Sequence, residues 1–423
     1  MTVSTPWASL FTERLVEADR DISDLIERQR RQNVESINLV ASESYCPRAT
    51  VEAEASVLIN KNASGYPPRV SFAGGEVMDA IELLAIERAK QLFGAEHANV
   101  QSLSSTISNV AVLRALLEPG GRILAFDGIA GGHSSHGGPN HVSGQDYEVE
   151  TFGVDDATGL VDYAAVQTQA NAFRPQMIIA GSSAYPWQID FRKLHEIAAE
   201  VGALLFADIA HVAGLVVAGI HPNPTPVCDV VTTSTHKTFC GPRTGGLILC
   251  KAQYAEKIDA ALAPGLQAAP GAHIIAARAV LFDRVRRPEF RKLMQAVVDD
   301  ASSLARELKN DGIPLYAGGT DTHMVVVDLR LTQWQEAEVN AQLERHGIIG
   351  NTTTLPRRAG DRTELGLRLG STPMTIRGLD AENFAVVASS VAALLKRGPG
   401  AAVDEQLRRK MKEIALAYPI PFG

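Results

Sequence analysis

The chain has no apolar run of about eighteen residues or more, so no segment is long enough to cross a bilayer as a helix. An excess of basic charge is missing too. Lys and Arg total 40 against 48 Asp and Glu, the formal net charge is −8, and no long basic stretch occurs. Nucleic acid therefore finds no electrostatic footprint here. Cysteine is scarce: Cys46, Cys228, Cys240 and Cys250 are the only four in 423 residues. Their spacing fits no common zinc motif, and a chain of this length needs no disulfide staples. They read as reduced thiols of a cytoplasmic protein with no metal site. Met1-Thr2-Val3-Ser4-Thr5-Pro6 lacks the basic and apolar character of a secretory leader, so export is not expected. Repeats and low-complexity tracts are also lacking. What is present is an ordinary globular composition, 45% apolar and 21% charged, in a chain long enough for more than one domain.

Residues 8–32 carry a helical period through Leu10, Leu15, Ile22, Leu25 and Ile26, which predicts a helical arm within residues 1–35. From about residue 77 helices and strands alternate. Helices are expected over 81–93, 108–117 and 191–201, and strands over 122–126, 177–180, 203–207, 229–233 and 246–250. Continuous apolar strands between helices predict an α/β layer with a mostly parallel sheet, here assigned to residues 36–285. A long helix over 276–308 leads into a smaller C-terminal domain, residues 286–423. That domain should hold strands near 323–327 and 365–369 and helices near 335–346 and 381–395. Ligands of parallel sheets sit beyond the carboxyl ends of the strands. Asp208, Ser183 and Lys237 all fall there.

Val230-Val231-Thr232-Thr233-Ser234-Thr235-His236-Lys237-Thr238 runs an apolar strand into a hydroxyl-rich turn that ends on one lysine. Leu204-Leu205-Phe206-Ala207-Asp208-Ile209-Ala210-His211 ends another strand on an acid and a histidine. A lysine that forms a Schiff base needs a lowered pKa and a tethered carbonyl partner. Pyridoxal phosphate (PLP) supplies the carbonyl and requires an acid at its ring nitrogen. Lys237 and Asp208 suit those two roles; the plain alternative is a lysine capping a surface turn. Ser104, Ser105 and Thr106 precede a helical run, where hydroxyls and N–H groups form an anion site or simply cap the helix. Gly131-Gly132-His133 lets the backbone approach a ligand and places a ring that can stack on one. Arg368, in a strand-like stretch, has the fork that grips a carboxylate, or else is a surface arginine.

Together these fragments match a family. Asn38-Leu39-Val40-Ala41-Ser42-Glu43-Ser44, Ile86 to Ala95, Gly131-Gly132-His133, Ala207 to Leu215, Thr235-His236-Lys237-Thr238 and Gly241-Pro242-Arg243 occur in one order. In this set the chain resembles serine hydroxymethyltransferase over nearly its whole length. Thr244 stands as an insertion before Gly245-Gly246. The resemblance implies the aspartate-aminotransferase-like fold of PLP-dependent transferases. Its large domain has a mostly parallel seven-stranded sheet, and a smaller C-terminal α/β domain follows. It also implies a homodimer with the active site at the subunit interface. Carried over, Lys237 would hold PLP as a Schiff base, Asp208 would pair with the ring nitrogen, and His133 would stack on the ring. Ser104, Ser105, Thr106 and His236 would hold the phosphate, joined by the partner-facing pair Ala268-Ala269. Ser183 and His211 would contact the cofactor's phenolic oxygen or the substrate. Ser42 and Arg368 would bind the amino-acid carboxylate.

The departures cluster on the folate side. Where the family carries a tyrosine and a proton-handling glutamate, this chain has Asn62 and Ser64. A serine is no carboxylate acid or base near neutral pH. Two tyrosines that flank folate are replaced by Ser71 and Phe72, a leucine by Gly128, an asparagine by Thr353 and a partner-lent phenylalanine by Ala263. Paired glycines become Ala268-Ala269. Glu76 and Glu82 are the acids left nearby in sequence. The reading that follows is a folate-independent aldolase or transaldolase acting on a β-hydroxy-α-amino acid such as L-threonine, with an aldehyde as second partner. Asn62, Ser64, Ser71 and Gly128 would line the space vacated by folate. His133, His211 or an ordered water is left to move the hydroxyl proton. The alternatives are a folate-dependent hydroxymethyltransferase, an α-methylserine-type enzyme, and a catalytically silent PLP-binding partner.

Overall fold

A computed structural model describes residues 5–69 and 73–422. Its strands are β1 (Ile37–Asn38), β2 (His97–Asn99), β3 (Arg122–Phe126), β4 (Glu148–Phe152), β5 (Met177–Gly181), β6 (Leu204–Asp208), β7 (Val230–Ser234), β8 (Gly246–Cys250), β9 (Met324–Asp328), β10 (Ile348–Ile349), β11 (Asn351–Thr354) and β12 (Leu365–Gly370). Seven of them form one sheet in the order β2-β8-β7-β6-β5-β3-β4. Only β8 runs against its neighbours. Every residue of β5, β7 and β8 is buried, because helices cover both faces of the sheet. Side chains alternate between two cores. Leu124, Phe126, Ile178 and Ala180 join one, and Ile123, Ala125, Met177 and Ile179 join the other.

A second, antiparallel sheet has the order β11-β12-β9 and lies over its own apolar core. Ile37 and Leu39 belong to that core, since β1 pairs in parallel with β10. The early segment 37–39 is therefore packed with the C-terminal elements rather than with the large sheet. The helix Pro288–Asn310 ties the two cores together. Met294 and Val297 enter the first, and Leu304 and Leu308 enter the second.

Two expected helices are broken. The helix anticipated over 276–308 is two, Ala272–Arg284 and Pro288–Asn310. Pro288 lacks the N–H that a continuous helix needs and clashes with the preceding turn, so it can only begin a helix. The N-terminal arm is likewise three pieces: Ser9–Thr12, Leu15–Ala18 and Arg20–Glu35. Glu13 and Asp19 are extended, and the Asp19 side chain accepts the N–H of Ile22 as a cap on the third piece. No helix among the described residues is long and apolar enough to cross a membrane.

Candidate active site

The carboxyl ends of β5, β6 and β7 converge on one cavity of about 260 Å³. Nine sequence candidates line it: Ser104, Ser105, Thr106, His133, Ser183, Asp208, His211, His236 and Lys237. The strand register sets their spacing, with Gly181 opposite Asp208 and Asp208 opposite Thr232. Gly181 has to be glycine, because a Cβ there would lie 2.3 Å from the Asp208 carbonyl oxygen. Past β7 the chain turns sharply: the Gly241 N–H donates to Thr235 O and the Cys240 N–H to Lys237 O. The Thr238 hydroxyl donates to His211 O, tying the lysine turn to the β6 loop.

Asp208 is the only carboxylate in the cavity wall among the described residues. Its Oδ2 accepts from His136 Nε2 at 3.0 Å and from Asn109 Nδ2 at 2.8 Å, and its Oδ1 accepts from the Ala210 N–H at 3.0 Å. Burial pushes the carboxyl up, but the His136 hydrogen bond and charge, with His133 and Asn109, hold it far below the ordinary carboxylate range. One lone pair of Oδ1 is left for a donor in the cavity. Lys237 is pulled from 10.5 to about 8, by burial first; Asp208 opposes that shift, and Arg368 and Arg243 add to it. Burial takes His133 and His236 down to about 4, so both are neutral at physiological pH.

The remaining polar groups point to an anion. The N–H groups of Ser105 and Thr106, at the start of the helix Ser105–Leu116, have no partner among the described residues. Ser234 Oγ and His236 Nδ1 are enclosed and unpartnered. A helix N-terminus with open donors is an anion site. Arg368, on β12, is nearly enclosed and meets only neutral acceptors: Nη1 donates to Ser183 O at 2.5 Å, and Nη2 to Asn351 Oδ1 at 3.1 Å. Burial lowers it to about 10. A buried guanidinium with no carboxylate of its own is a receptor for one. The loop bearing Ser42 lies against the same strand, where the Gly370 N–H donates to Leu39 O at 2.7 Å. A phosphate at the helix start, a ring nitrogen at Asp208, a carbonyl at Lys237 and a carboxylate at Arg368 fit PLP with an amino acid.

The model of the family described as serine hydroxymethyltransferase matches residues 15–391. The chain belongs to the serine hydroxymethyltransferase family. Membership brings PLP dependence, fold type I, and chemistry at the Cα–Cβ bond of serine- or threonine-like amino acids. Several residues of this family member were not legible as site residues. His136, Asn109 and Ser135 form the network behind Asp208, with Asn109 donating to Ser135 Oγ at 2.8 Å. The only signal was the second histidine in His133-Ser134-Ser135-His136. Arg243 lines the cavity, although only its motif had drawn notice. His323 and Asn351 gave no signal.

The remaining candidates lie outside this cavity in a single chain. Asn62 and Ser64 are exposed and line neither the Lys237 cavity nor the one beside Gly128. They follow the short helical turn Val57–Asn60 on the surface, not the ends of the sheet strands. Ala268 and Ala269 are exposed and also outside the cavity, in the loop after the helix Ala255–Leu262. Ser71 and Phe72 lie outside the described residues. Ala263 is buried just past that same helix. Glu82 is no free acid, because it is buried against Arg69 and accepts from Gln101 Nε2 at 2.7 Å. Gly128 and Thr353 do share a wall, in a separate cavity of about 490 Å³ that has no lining residue in common with the Lys237 cavity. A larger cleft of about 690 Å³, lined by Arg28, Arg345 and Arg409, holds none of the sequence candidates, so volume alone does not select the site.

Proposed function

We propose that the chain is a folate-independent, PLP-dependent aldolase or transaldolase for β-hydroxy-α-amino acids of the L-threonine type. The observation that carries this reading is the room beside Gly128. With no side chain at 128, Gly128 and Thr353 border about 490 Å³, and in the family these two positions face folate. Thr353 is two residues along β11 from Asn351, about 7 Å at strand spacing, and Asn351 is paired with Arg368. An acceptor aldehyde in that space would approach from the Arg368 side. Ser64 supports the same reading, since the family's carboxylic acid is missing at that position.

In this proposal the Ser105 and Thr106 N–H groups, with Ser104 and His236, hold the phosphate. Asp208 stays ionised and would keep a proton on the ring nitrogen. His133, on the cavity wall, would stack on the ring. Arg368 and Ser42 take the amino-acid carboxylate, with Ser183 beside them. When bound, PLP supplies the electron sink for the pair released as the Cα–Cβ bond breaks. The hydroxyl proton leaves as the β-carbon becomes an aldehyde carbonyl. Cα then takes a proton to give glycine, or bonds to the carbonyl carbon of a second aldehyde, whose oxygen takes the proton. Lys237, at about 8, can hold or release that proton near neutrality. The working unit in this reading is a homodimer, with Asn62, Ser64, Ala268 and Ala269 of each copy facing the other's cavity. Free thiols at all four cysteines support a cytoplasmic setting.

The test is glycine release from L-threonine by PLP-loaded protein without folate, with and without acceptor aldehydes. Turnover that needs an acceptor means a transaldolase, and turnover without one means an aldolase. Silence on threonine with activity on L-serine once tetrahydrofolate is added would sink the proposal.

A further inference from the structure

His211 and His323 stack at 5.5 Å between centroids, and neither ring is free to choose its proton. His323 precedes β9, and its Nε2 lies 3.1 Å from Ala41 O and 3.4 Å from His211 Nδ1. Ala41 O is a backbone carbonyl and can only accept. Nε2 of His323 must therefore carry the hydrogen, and that hydrogen faces both Ala41 O and His211 Nδ1. A second hydrogen on His211 Nδ1 would meet it head on, so Nδ1 has to be the bare nitrogen. Both rings are neutral in this setting. Burial first, then the nearby cations, hold His211 well below its ordinary value and His323 at about 3. The charged or titratable neighbours of His211 are Lys237, Arg368, His323 and His133, and His221 also faces His323. A neutral ring with a bare Nδ1 carries its one proton on Nε2. The contact with His323 is the one hydrogen bond of the His211 ring among the described residues, and the ring lines the Lys237 cavity.

We infer that His323 is a positioning residue that locks His211 as the Nε2–H tautomer, so that His211 serves the cavity as a hydrogen-bond donor and not as the base for the β-hydroxyl. The inference rests on the reading of this cavity as the PLP and amino-acid site. His133 is wired the same way: the Ser135 N–H donates to its Nδ1, which leaves its own proton on Nε2. The lock is also mechanical. A Cβ on Gly370 would come within 2.5 Å of the Ala41 Cα, and the Ser371 N–H donates to His323 O. The Ala41–Ser42 loop, His323 and the strand bearing Arg368 are thus packed as one unit.

The test is nitrogen NMR of the PLP-bound enzyme, ring-labelled at its 11 histidines, with His211 assigned by His211→Asn. No substrate is present, so the result does not depend on which aldol reaction the enzyme runs. The expected pattern is a protonated Nε2 and a bare Nδ1 on His211, unchanged across neutral pH. His323→Phe removes the donor and should mix the two tautomers. It should also raise the apparent KM for the amino acid about tenfold, the size of one lost hydrogen bond to a charged group, with kcat less affected. His323→Gln keeps an N–H at similar reach and should restore both. A proton on Nδ1 of wild-type His211 overturns the inference. So does a folded His323→Phe variant with an unchanged tautomer. If His323→Phe does not fold, the wild-type spectrum decides alone.

Discussion

Lys237 and Arg368 are two cations in one enclosed space, and the cost is divided unequally between them. Arginine cannot give up its proton near neutrality, so Lys237 yields instead. The amine attacks a carbonyl only when neutral, and its folded value is lowered from 10.5 to about 8. The neutral fraction therefore grows as pH rises through about 8, and capture of PLP by the apoenzyme should speed up and level off there. The Asp208 charge raises this value, so Asp208→Asn should move the midpoint down. Stopped-flow absorbance at a series of pH values reads both, and a midpoint near the unperturbed lysine value would refute the desolvation. Arg368→Lys keeps the charge but loses the fork. The apparent KM for the amino acid should rise about tenfold or more, and an unchanged KM would mean that the carboxylate binds elsewhere. Residues of this kind are legible in sequence because lysine, aspartate and arginine next to apolar strands are costly anywhere except a site. Asn109, Ser135 and His323 are not, because amides, hydroxyls and neutral rings are common in any core. Their roles exist only once the sheet register and the second core place them behind Asp208 and His211.

At the scale of elements, the strands that could be read were those buried on both faces. β5, β7 and β8 are continuous apolar or hydroxyl runs, and the observed bounds fall within a residue of those expected. β4 is an edge strand with only Phe152 fully buried, so Glu148-Val149-Glu150-Thr151 offers one partly buried apolar residue and no continuous apolar run. The break before Pro288 was overlooked because the apolar period continues across it; backbone chemistry overrules side-chain pattern there. Close packing of β5 on β6 yields a sharp prediction. Gly181→Ala adds a single Cβ against the Asp208 carbonyl at 2.3 Å and the Asp208 Cβ at 2.8 Å, with no flexible side-chain end to move. Overpacking of this kind costs about 1–3 kcal/mol, and it displaces the strand end that aims Asp208. Urea unfolding should show the loss, and PLP titration should show weaker binding. A variant with wild-type stability and affinity would mean that β5 and β6 can slide apart without harm.

For the whole molecule, the puzzle is the apolar surface that one chain leaves in water. Leu10 and Phe11 are 80% and 81% exposed, and Leu15, Ile22, Leu25 and Ile26 on the arm are exposed as well. Val57, Ile59, Val77, Leu83 and Leu84 are exposed around the segment that carries Asn62 and Ser64. Patches of this extent mark an interaction surface, and a second copy of the chain is the occupant that would also return Asn62, Ser64, Ala268 and Ala269 to a cavity. The double variant Leu10→Asp, Phe11→Asp tests this. In an isolated chain two such exposed positions change stability by about 0.5 kcal/mol or less each. In a dimer that buries them, the loss should be about 3 kcal/mol or more, on the order of a hundredfold in the dimer dissociation constant. Sedimentation velocity should then show monomers at concentrations where the parent is dimeric, and the concentration dependence of the parent's melting temperature should be lost there. PLP affinity should fall in step with dissociation although neither residue lines the cavity. A variant that stays dimeric with parental affinity would place the arm outside the interface and leave Asn62 and Ser64 as surface residues with no part in the site.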